Sequence, residues 1–201
     1  MRPEIILAFD TSAAHCAAAL LLDGRVILRL EEMQKGQAER LFPMLEELLA
    51  EGCVAWRDLT ALAVGTGPGN FTGVRISVAA ARGLALALGI PAIGVTRLEA
   101  LAYGAPRPVS VVEDARRGEV YVQSFGAEGP EAARIVALDA VGPLSARVVG
   151  VGGAAPAMAL AEAIARIAQA RLGTVQPRPA PFYLRGADAS PPSDPAPVIL
   201  P

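Results

Sequence analysis

Apolar and polar positions near the N-terminus predict three consecutive strands. The run Ile5–Phe9 is apolar throughout and ends at Asp10, which is typical of a strand buried on both faces. Two further apolar runs, Cys16–Leu22 and Val26–Leu30, flank the pair Asp23-Gly24. An Asp-Gly pair between apolar runs is a strong signal for a two-residue turn, so these runs predict a β-hairpin.

The next periodic segment predicts an amphipathic helix. Apolar residues recur at the spacing of one helix face, with charged residues between them, at Ala38, Leu41, Phe42, Leu45, Leu48 and Leu49. Gly52 is expected to end this helix. Pro43 is expected either to lie in its first turn or to kink it, because proline lacks the N–H that an interior position needs.

A fourth strand, Ala61–Thr66, leads through a glycine-rich loop into a long apolar helix. From Thr72 to Leu88 this helix carries only two charges, Arg75 and Arg82. A helix that is apolar nearly all round is buried on several sides or takes part in a protein interface. We therefore expect one face to meet the sheet and another to meet a second subunit. The expected partner surface consists of Leu41, Leu45, Leu48, Arg75, Val78, Ala81, Arg82 and Leu84.

The loop before that helix reads GPGNFTGVRI at 67–76. Its glycines and proline allow a close backbone approach, or amide groups aimed at an anion. The spacing is neither that of a Walker loop nor that of the dinucleotide-binding G-x-G-x-x-G. A phosphate-facing loop and a structural turn both remain open, and the structural turn is favoured. In that case Gly67, Gly69 and Gly73 bring the turn close to the sheet, while Thr72 caps the helix.

The second half of the chain has weaker periodicity. Thr96 and Glu99 form a capping-box pattern for a helix that is expected to end near Tyr103. Strands are expected at Val109–Val112 and Glu119–Phe125, and an alanine-rich helix from about 155 to 172. Eight of the 17 prolines fall between 177 and 201, which predicts an extended, docked or frayed tail. The expected organisation is an N-terminal lobe at 1–104, a reduced C-terminal lobe at 105–173 and a proline-rich tail at 174–201.

The hydropathy of the chain indicates whether it is soluble or spans a membrane. Hydrophobic residues make up 53% of the 201 residues, and the mean hydropathy is +0.41. The longest uncharged apolar stretch, Gly83–Val95, is interrupted by glycine and proline and is shorter than the roughly 20 residues that span a membrane. The N-terminus does not have the pattern of a signal peptide. We expect a soluble, cytoplasmic chain whose excess apolar surface serves a partner interface.

Charge and residue types narrow the function further. A formal net charge of −2 and a pI near 5.5 provide no overall basic field for nucleic acid. Any RNA contact is expected from a partner or from a local patch, for which the candidates are Arg75, Arg82, Arg116 and Arg117. His15 is the only histidine, which excludes a metal site built on paired histidines of one chain. Ser12 is too close to His15 along the chain to be expected in a hydrolase triad.

Several segments together resemble the actin–Hsp70–sugar-kinase (ASKHA, RNase H-like) α/β fold, and specifically the TsaB (YeaZ) family. They read IILAFDTS at 5–12, ERLFP at 39–43, GPGNFTGVRI at 67–76, DARRGEVY at 114–121 and YLRGAD at 183–188. The resemblance is close from Glu4 to about Phe125 and returns at 181–189. Between these regions it is loose, as expected for a two-lobed fold with a reduced C-terminal lobe.

This resemblance implies a role in making N6-threonylcarbamoyladenosine beside the tRNA anticodon. The family's catalytic relative, TsaD, holds its metal and nucleotide with paired histidines, whereas this chain reads GQAER at 36–40. The resemblance therefore implies a non-catalytic subunit with no metal or cofactor of its own, ATP and Mg²⁺ entering only within the complex. The implied partners are a TsaD-like paralogue and a TsaE-like ATPase. It further implies a homodimer when the chain is alone, and contact with tRNA only through the complex.

Two other functions remain open. A free-standing ASKHA ATPase or kinase would place Asp10 and Asp114 on Mg²⁺ and the loops at Gly67 and Gly150 around phosphates. The candidate nucleotide-binding residues are then Asp10, Thr11, Ser12, Gly67, Gly69 and Asp114. In the alternative interpretation Asp10 ends a strand and Asp114 shapes a hairpin. A metallopeptidase, which the family's older sialoglycoprotease-like name suggests, fits poorly because the ligands that would activate a metal-bound water are missing.

Overall fold

The apolar run near the N-terminus forms the middle strand of a five-stranded sheet. In the computed structural model, which describes residues 4–185, β1 (Ile5–Asp10) pairs antiparallel with β2 (His15–Leu22). β3 (Arg25–Glu32) completes the predicted hairpin. β4 (Ala61–Gly65) and β5 (Ala92–Val95) run parallel to β1 on its other side. The order in this first sheet is β3-β2-β1-β4-β5, and the predicted strands are confirmed.

Two long helices cover one face of the first sheet. α1 (Gln37–Glu51) packs on β2, and α2 (Phe71–Leu88) packs on β4. Gly52 ends α1 as predicted. Pro43 lies in the second turn of α1, which rules out the first of the two predicted alternatives, a position in the first turn. The carbonyl of Glu39, four residues earlier, therefore has no helical N–H to accept from at this position.

The burial of these helices corrects most of the predicted partner surface. Five of its side chains are between 0% and 2% exposed and belong to the core beneath the helices: Leu41, Leu45, Leu48, Val78 and Ala81. They cannot contact a partner in the folded chain. Of the other three, Arg75 is exposed, whereas Arg82 and Leu84 are half-buried. The large apolar side chains that α2 exposes are Phe71 and Leu86, at 48% and 83%.

Within residues 4–185, α2 is also the one helix whose length and apolar composition would suffice to cross a membrane. That property is weak evidence for a membrane span, because core helices share it. The residues of α2 that are buried against the sheet are Gly73, Val74, Ser77, Val78 and Ala81. Packing on the sheet therefore accounts for the apolar character of this side of the helix.

A short helix, α3 (Arg97–Ala102), follows β5. The side chain of Thr96 accepts a hydrogen bond from the Glu99 N–H at 3.2 Å, which confirms the predicted N-cap. The Glu99 carboxylate forms an ion pair with Arg171 instead of returning to the backbone of Thr96. The capping box is therefore half formed, and its second half is used for a tertiary contact.

A second sheet is built around the predicted hairpin of the C-terminal half. β6 (Val109–Arg116) and β7 (Glu119–Gly126) pair antiparallel. Three short strands join them at Gly129–Pro130 (β8), Arg134–Ala137 (β9) and Val148–Gly150 (β10). β8 and β9 pair with β7, and β10 runs parallel to β6. Strands of two to four residues are too short to show an alternating pattern, so the sequence did not predict them.

The last helix crosses back to the first sheet. α4 (Leu160–Arg171) packs on β1 and β2, on the face opposite α1 and α2, through small side chains such as Ala163 and Ala165. The first sheet is therefore covered on both sides, which explains why Ile5–Phe9 of β1 is apolar throughout. The division of the chain into lobes at 104/105 and 173/174 stays a prediction. α4, the last helix of the predicted C-terminal lobe, packs on the first sheet.

The described part of the tail, 174–185, contains no helix or strand and is docked on the rest of the chain. The Phe182 N–H donates to the carbonyl of Thr66 at 2.8 Å. The remainder of the predicted tail, 186–201, lies outside the described residues, as does the end of the YLRGAD segment.

Candidate functional site

A cleft of about 510 Å³ lies between the two sheets. One side is formed by Ser12 and by the glycine loop at 68–71, and the other by the end of β6 and the turn that follows it at 113–117. Residues 182–185 of the tail line the cleft as well. The cleft therefore brings together residues from four of the five segments that carry the family resemblance, all except 39–43.

The end of β1 forms a network of buried polar groups at the cleft. Asp10, Thr11 and Ser12 are all fully buried. Oδ1 of Asp10 accepts hydrogen bonds from the Ser12 N–H at 3.0 Å and from the Ser12 hydroxyl at 2.9 Å, and it lies 2.8 Å from Nε2 of His15. The Thr11 hydroxyl donates to the carbonyl of Gly73 at 2.6 Å. These groups are therefore used largely to join β1 to its neighbours.

The environment of Asp10 keeps this carboxyl ionised. Burial by itself raises its pKa, but the hydrogen bond with His15, the charge of Arg97 and the N–H of Ser12 oppose burial and hold the pKa below its ordinary value of 3.8. Oδ2 of Asp10 has no hydrogen-bond partner among the described residues and lies against Gly65. An ideal Cβ at Gly65 would be 1.9 Å from that oxygen, so only glycine leaves room for the carboxylate.

Arg97 connects the first sheet to the second at the cleft. Its Nε and Nη2 donate to Oε1 of Glu113 at 2.8 and 2.6 Å, and its Nη1 lies 4.0 Å from Oδ1 of Asp10. Nη1 is buried and makes no hydrogen bond to the described residues. Arg97 thus links the carboxyl end of β1 to the carboxyl end of β6.

The glycine loop is a close-packed turn. The Asn70 N–H donates to the carbonyl of Ser12 at 2.6 Å, and the Arg97 N–H donates to the carbonyl of Gly67 at 2.7 Å. An ideal Cβ at Gly69 would lie 2.2 Å from the Ser12 oxygen, and one at Gly73 would lie 1.9 Å from the Thr11 oxygen. Gly67 has a φ of +89°, which favours glycine. This geometry supports the structural role that the sequence favoured.

The helix cap differs from the prediction. Asn70, not Thr72, is the N-cap of α2, and its Oδ1 accepts the Gly73 N–H at 2.9 Å. α2 begins at Phe71, so Thr72 is already the second residue of the helix. A residue with helical backbone angles at that position cannot fill the N-cap role, for which asparagine is among the preferred residues.

Asp114 has the local role that the alternative interpretation assigned to it. Its side chain is exposed, and Oδ1 accepts the Arg116 N–H at 2.8 Å. Arg116 and Arg117 follow in left-handed conformations, with φ of +63° and +55°. Asp114 therefore shapes the turn between β6 and β7 while it also lines the cleft.

The cleft brings together three of the predicted nucleotide-binding residues, Ser12, Gly69 and Asp114. The other three, Asp10, Thr11 and Gly67, are not part of its lining. Sequence reasoning did not assign Arg97, Glu113 or His15 to the site. Their roles depend on contacts between distant segments, except for His15, whose position five residues after Asp10 could have indicated a partner across the β1–β2 turn.

The described residues contain no group of three or more His, Cys, Asp or Glu side chains arranged to hold a metal ion. The cationic side chains of the cleft are partly engaged by carboxylates, since Arg97 pairs with Glu113 and Arg185 with Glu119. The arrangement offers hydrogen-bonding and charged groups for binding, while its buried polar groups hold the sheets and loops in place.

Comparisons with known proteins agree with this architecture. A family model described as TsaD, tRNA N6-adenosine threonylcarbamoyltransferase, matches residues 31–179, which is most of the chain. The solved structure titled "YeaZ from Pseudomonas aeruginosa" superposes with a TM-score of 0.73 at 31% identity, covering 90% of this chain and 100% of that one.

Two curated relatives are named tRNA threonylcarbamoyladenosine biosynthesis protein TsaB. The one from Escherichia coli (strain K12) is 43% identical over 121 residues, 58% of this chain and 52% of that protein. The one from Bacillus subtilis (strain 168) is 40% identical over 120 residues, again 58% and 52%. The chain thus spans about half the length of the curated relatives it matches. By fold, family model and identity, this chain belongs to the family that the TsaD model describes, in its TsaB (YeaZ) branch.

Proposed function

We propose that this chain takes part in making N6-threonylcarbamoyladenosine on tRNA, as a non-catalytic subunit that supports a TsaD-like paralogue. In this proposal the chain works in the cytoplasm, and a TsaE-like ATPase completes the complex. ATP and Mg²⁺ act in the complex rather than on the isolated chain, and tRNA is reached through the partners. The chain pairs with itself when the paralogue is absent.

The biosynthetic part of the proposal is supported by the names of the relatives. Curated proteins at 40% and 43% identity are called tRNA threonylcarbamoyladenosine biosynthesis proteins. The identity extends over about half of each relative, so a shared biosynthetic role is inferred from that shared part.

The non-catalytic part rests on one structural observation, the packing of the glycine loop. In the ATPase alternative this loop would surround phosphates. Here Asn70 donates its N–H to Ser12, and Gly73 donates its N–H to the side chain of Asn70. Gly69 and Gly73 are pressed against the backbone of the segment that follows β1. A loop committed in this way supports helix α2 and the sheet, which is the role of a scaffold.

Depletion of this chain from its own organism tests the biosynthetic role. Digests of tRNA should lose N6-threonylcarbamoyladenosine, measured by mass spectrometry, and re-expression of the chain should restore it. Re-expression of Asp114→Asn should restore it equally well, because a scaffold does not need this carboxylate as a magnesium ligand. Unchanged modification after depletion would contradict the proposed role.

A second candidate, a free-standing ATPase or kinase, is favoured by the presence of Ser12, Gly69 and Asp114 in one cleft. Titration calorimetry of the isolated chain with Mg-ATP separates it from the scaffold. Micromolar affinity that Asp114→Asn abolishes would support the ATPase, since asparagine keeps the oxygen that accepts the Arg116 N–H but removes the charge. A substitution at Gly69 is unsuitable for this test, because a side chain there would meet the Ser12 carbonyl.

A further inference from the structure

The last described residues of the chain run along the cleft and contact elements on both sides of it. On the side of the first sheet, the Phe182 N–H donates to the carbonyl of Thr66 at 2.8 Å. Pro179 lies against Gly94 of β5, where an ideal Cβ would be 3.5 Å from its Cα. The carbonyl oxygen of Phe182 would lie 3.1 Å from a Cβ at Gly67. This segment is therefore packed on the strand ends that carry the glycine loop.

Tyr183 attaches the same segment to the start of α2. Its hydroxyl accepts a hydrogen bond from Nε of Arg75 at 3.0 Å, and its ring centroid is 5.1 Å from that of Phe71. The guanidinium of Arg75 also lies 3.6 Å above the ring of Phe71. Two rings and one guanidinium thus hold the tail against the first turn of α2.

Arg185 attaches the segment to the opposite side of the cleft. Its Nη2 donates to the carbonyl of Ala115 at 3.0 Å and lies 2.6 Å from Oε2 of Glu119. Ala115 is in β6 and Glu119 begins β7, so both partners belong to the second sheet. Only two residues after Tyr183, the chain has passed from one sheet to the other.

We propose that residues 179–185 form a strap that holds the two sheets together across the cleft. The strap lines the cleft itself through residues 182–185. Its contacts are those of partly exposed side chains: Tyr183 is 39% exposed, and the side chains of Arg185 and Glu119 are 30% and 34% exposed. Contacts of this kind open locally without global unfolding, so the strap can be released while both cores remain packed.

The strap explains a motif that the proposed function leaves unused. Tyr183, Leu184 and Arg185 belong to the YLRGAD segment that the sequence resemblance singled out. The inference concerns the chain's own cleft, so it stands or fails independently of the role in tRNA modification. Opening the strap would also free the side chains of Phe71 and Arg75, which couples the cleft to the N-terminal part of α2.

Hydrogen exchange on the full chain, followed by mass spectrometry, tests the strap through its effect across the cleft. Arg185→Ala removes contacts on the second sheet only, yet a strap predicts exchange about tenfold faster on the far side, in 66–70. Tyr183→Ala removes contacts on α2 only and should speed exchange in 114–119. Val175→Ala is the matched control, because Val175 is fully exposed in the same tail, and it should change neither region.

Effects confined to one side of the cleft would contradict the proposal. If each substitution affects only the residues that it contacts, the tail is passively docked and the strap proposal is wrong. Exchange in β1 reports whether a variant keeps its fold. Should Tyr183→Ala disturb β1, Tyr183→Phe replaces it, since it removes only the hydroxyl that Arg75 binds and keeps the ring against Phe71.

Discussion

Nε2 of His15 lies 2.8 Å from Oδ1 of Asp10, and the carboxylate in this pair is fully buried. Asp10 ends β1 and His15 begins β2, so the pair holds the turn between these strands in place beside the cleft. The same oxygen also accepts from Ser12 and faces Arg97. A buried charge with several partners of this kind makes the stability of the fold depend on pH.

The pH dependence follows from the direction of the pKa shift. The pKa of Asp10 lies below its ordinary value of 3.8 in the folded chain, so the folded state binds this proton less tightly than the unfolded state. The stabilisation is therefore complete above pH 3.8 and is lost as the pH falls through the folded-state pKa. Asp10→Asn should cost about 1.5–3 kcal/mol at pH 7 and flatten this acid limb in urea unfolding curves.

The exposed carboxylate of Asp114 provides the control for that measurement. Asp114→Asn should leave the free energy of unfolding at pH 7 nearly unchanged, because the side chain is exposed and asparagine keeps the bond to Arg116. If Asp10→Asn and the wild type lose stability in parallel on acidification, Asp10 is not the group responsible.

The cap of α2 can be identified by a pair of alanine substitutions. Asn70→Ala removes the oxygen that accepts the Gly73 N–H and should reduce the free energy of unfolding by about 1 kcal/mol. Thr72→Ala, at an exposed position in the first turn, should change it by less than about 0.5 kcal/mol. Equal losses for the two variants in thermal or urea unfolding would show that Thr72 shares the capping role.

Alanine substitutions at two glycines of α2 should change the free energy of unfolding in opposite directions. Gly73→Ala would place a Cβ 1.9 Å from the Thr11 oxygen, so β1 or α2 must move and stability should fall by about 1–3 kcal/mol. Gly83→Ala has nothing within 4 Å of the new Cβ and lies inside the same helix. It should stabilise the chain by about 0.5–1 kcal/mol. A tolerated Gly73→Ala would mean that the loop is looser than this packing indicates.

The partner surface can be tested on the exposed side of α2. Leu86→Glu, at a position that is 83% exposed, should leave the melting temperature nearly unchanged but weaken pairing with the paralogue or with a second copy on gel filtration. Ala81→Glu should instead prevent folding, because Ala81 is fully buried against the sheet. Normal pairing by a folded Leu86→Glu variant would move the surface elsewhere, for example towards Leu30 and Phe42, which are also exposed.

The isolated chain is expected to bind tRNA weakly. Its formal net charge is −2, and two of the arginines of the cleft are paired with glutamates. Without a net basic surface, few counterions are released on binding and the electrostatic gain is small. Filter binding or anisotropy at physiological salt should therefore detect no tight complex. Submicromolar affinity that falls steeply with added salt would contradict this expectation and turn attention to Arg116 and Arg117.

The elements of the first sheet could be predicted from the sequence because their signals are local. β1 is an unbroken apolar run, Asp23-Gly24 sets the hairpin, and α1 shows helical spacing over several turns. Each signal depends on residues a few positions apart, where backbone preferences and side-chain alternation act directly. The glycine loop was located for the same reason, since a cluster of glycines and a proline before a helix is a local signal for a tight turn.

Tertiary structure alone decided which side chains of those elements are accessible. Leu48 of α1 and Leu86 of α2 are both helical leucines, yet one is fully buried and the other is 83% exposed, because the neighbouring sheet determines which face of each helix is covered. Tertiary structure also decided the position of α4, which lies on the first sheet although it is far from that sheet in sequence. Arg97 meets Asp10, and Arg185 meets Glu119, across separations that no local pattern encodes. The sequence by itself determined the longer strands and helices and the family, through short-range periodicity and motifs. The cleft, its buried charges and its strap were decided by long-range packing.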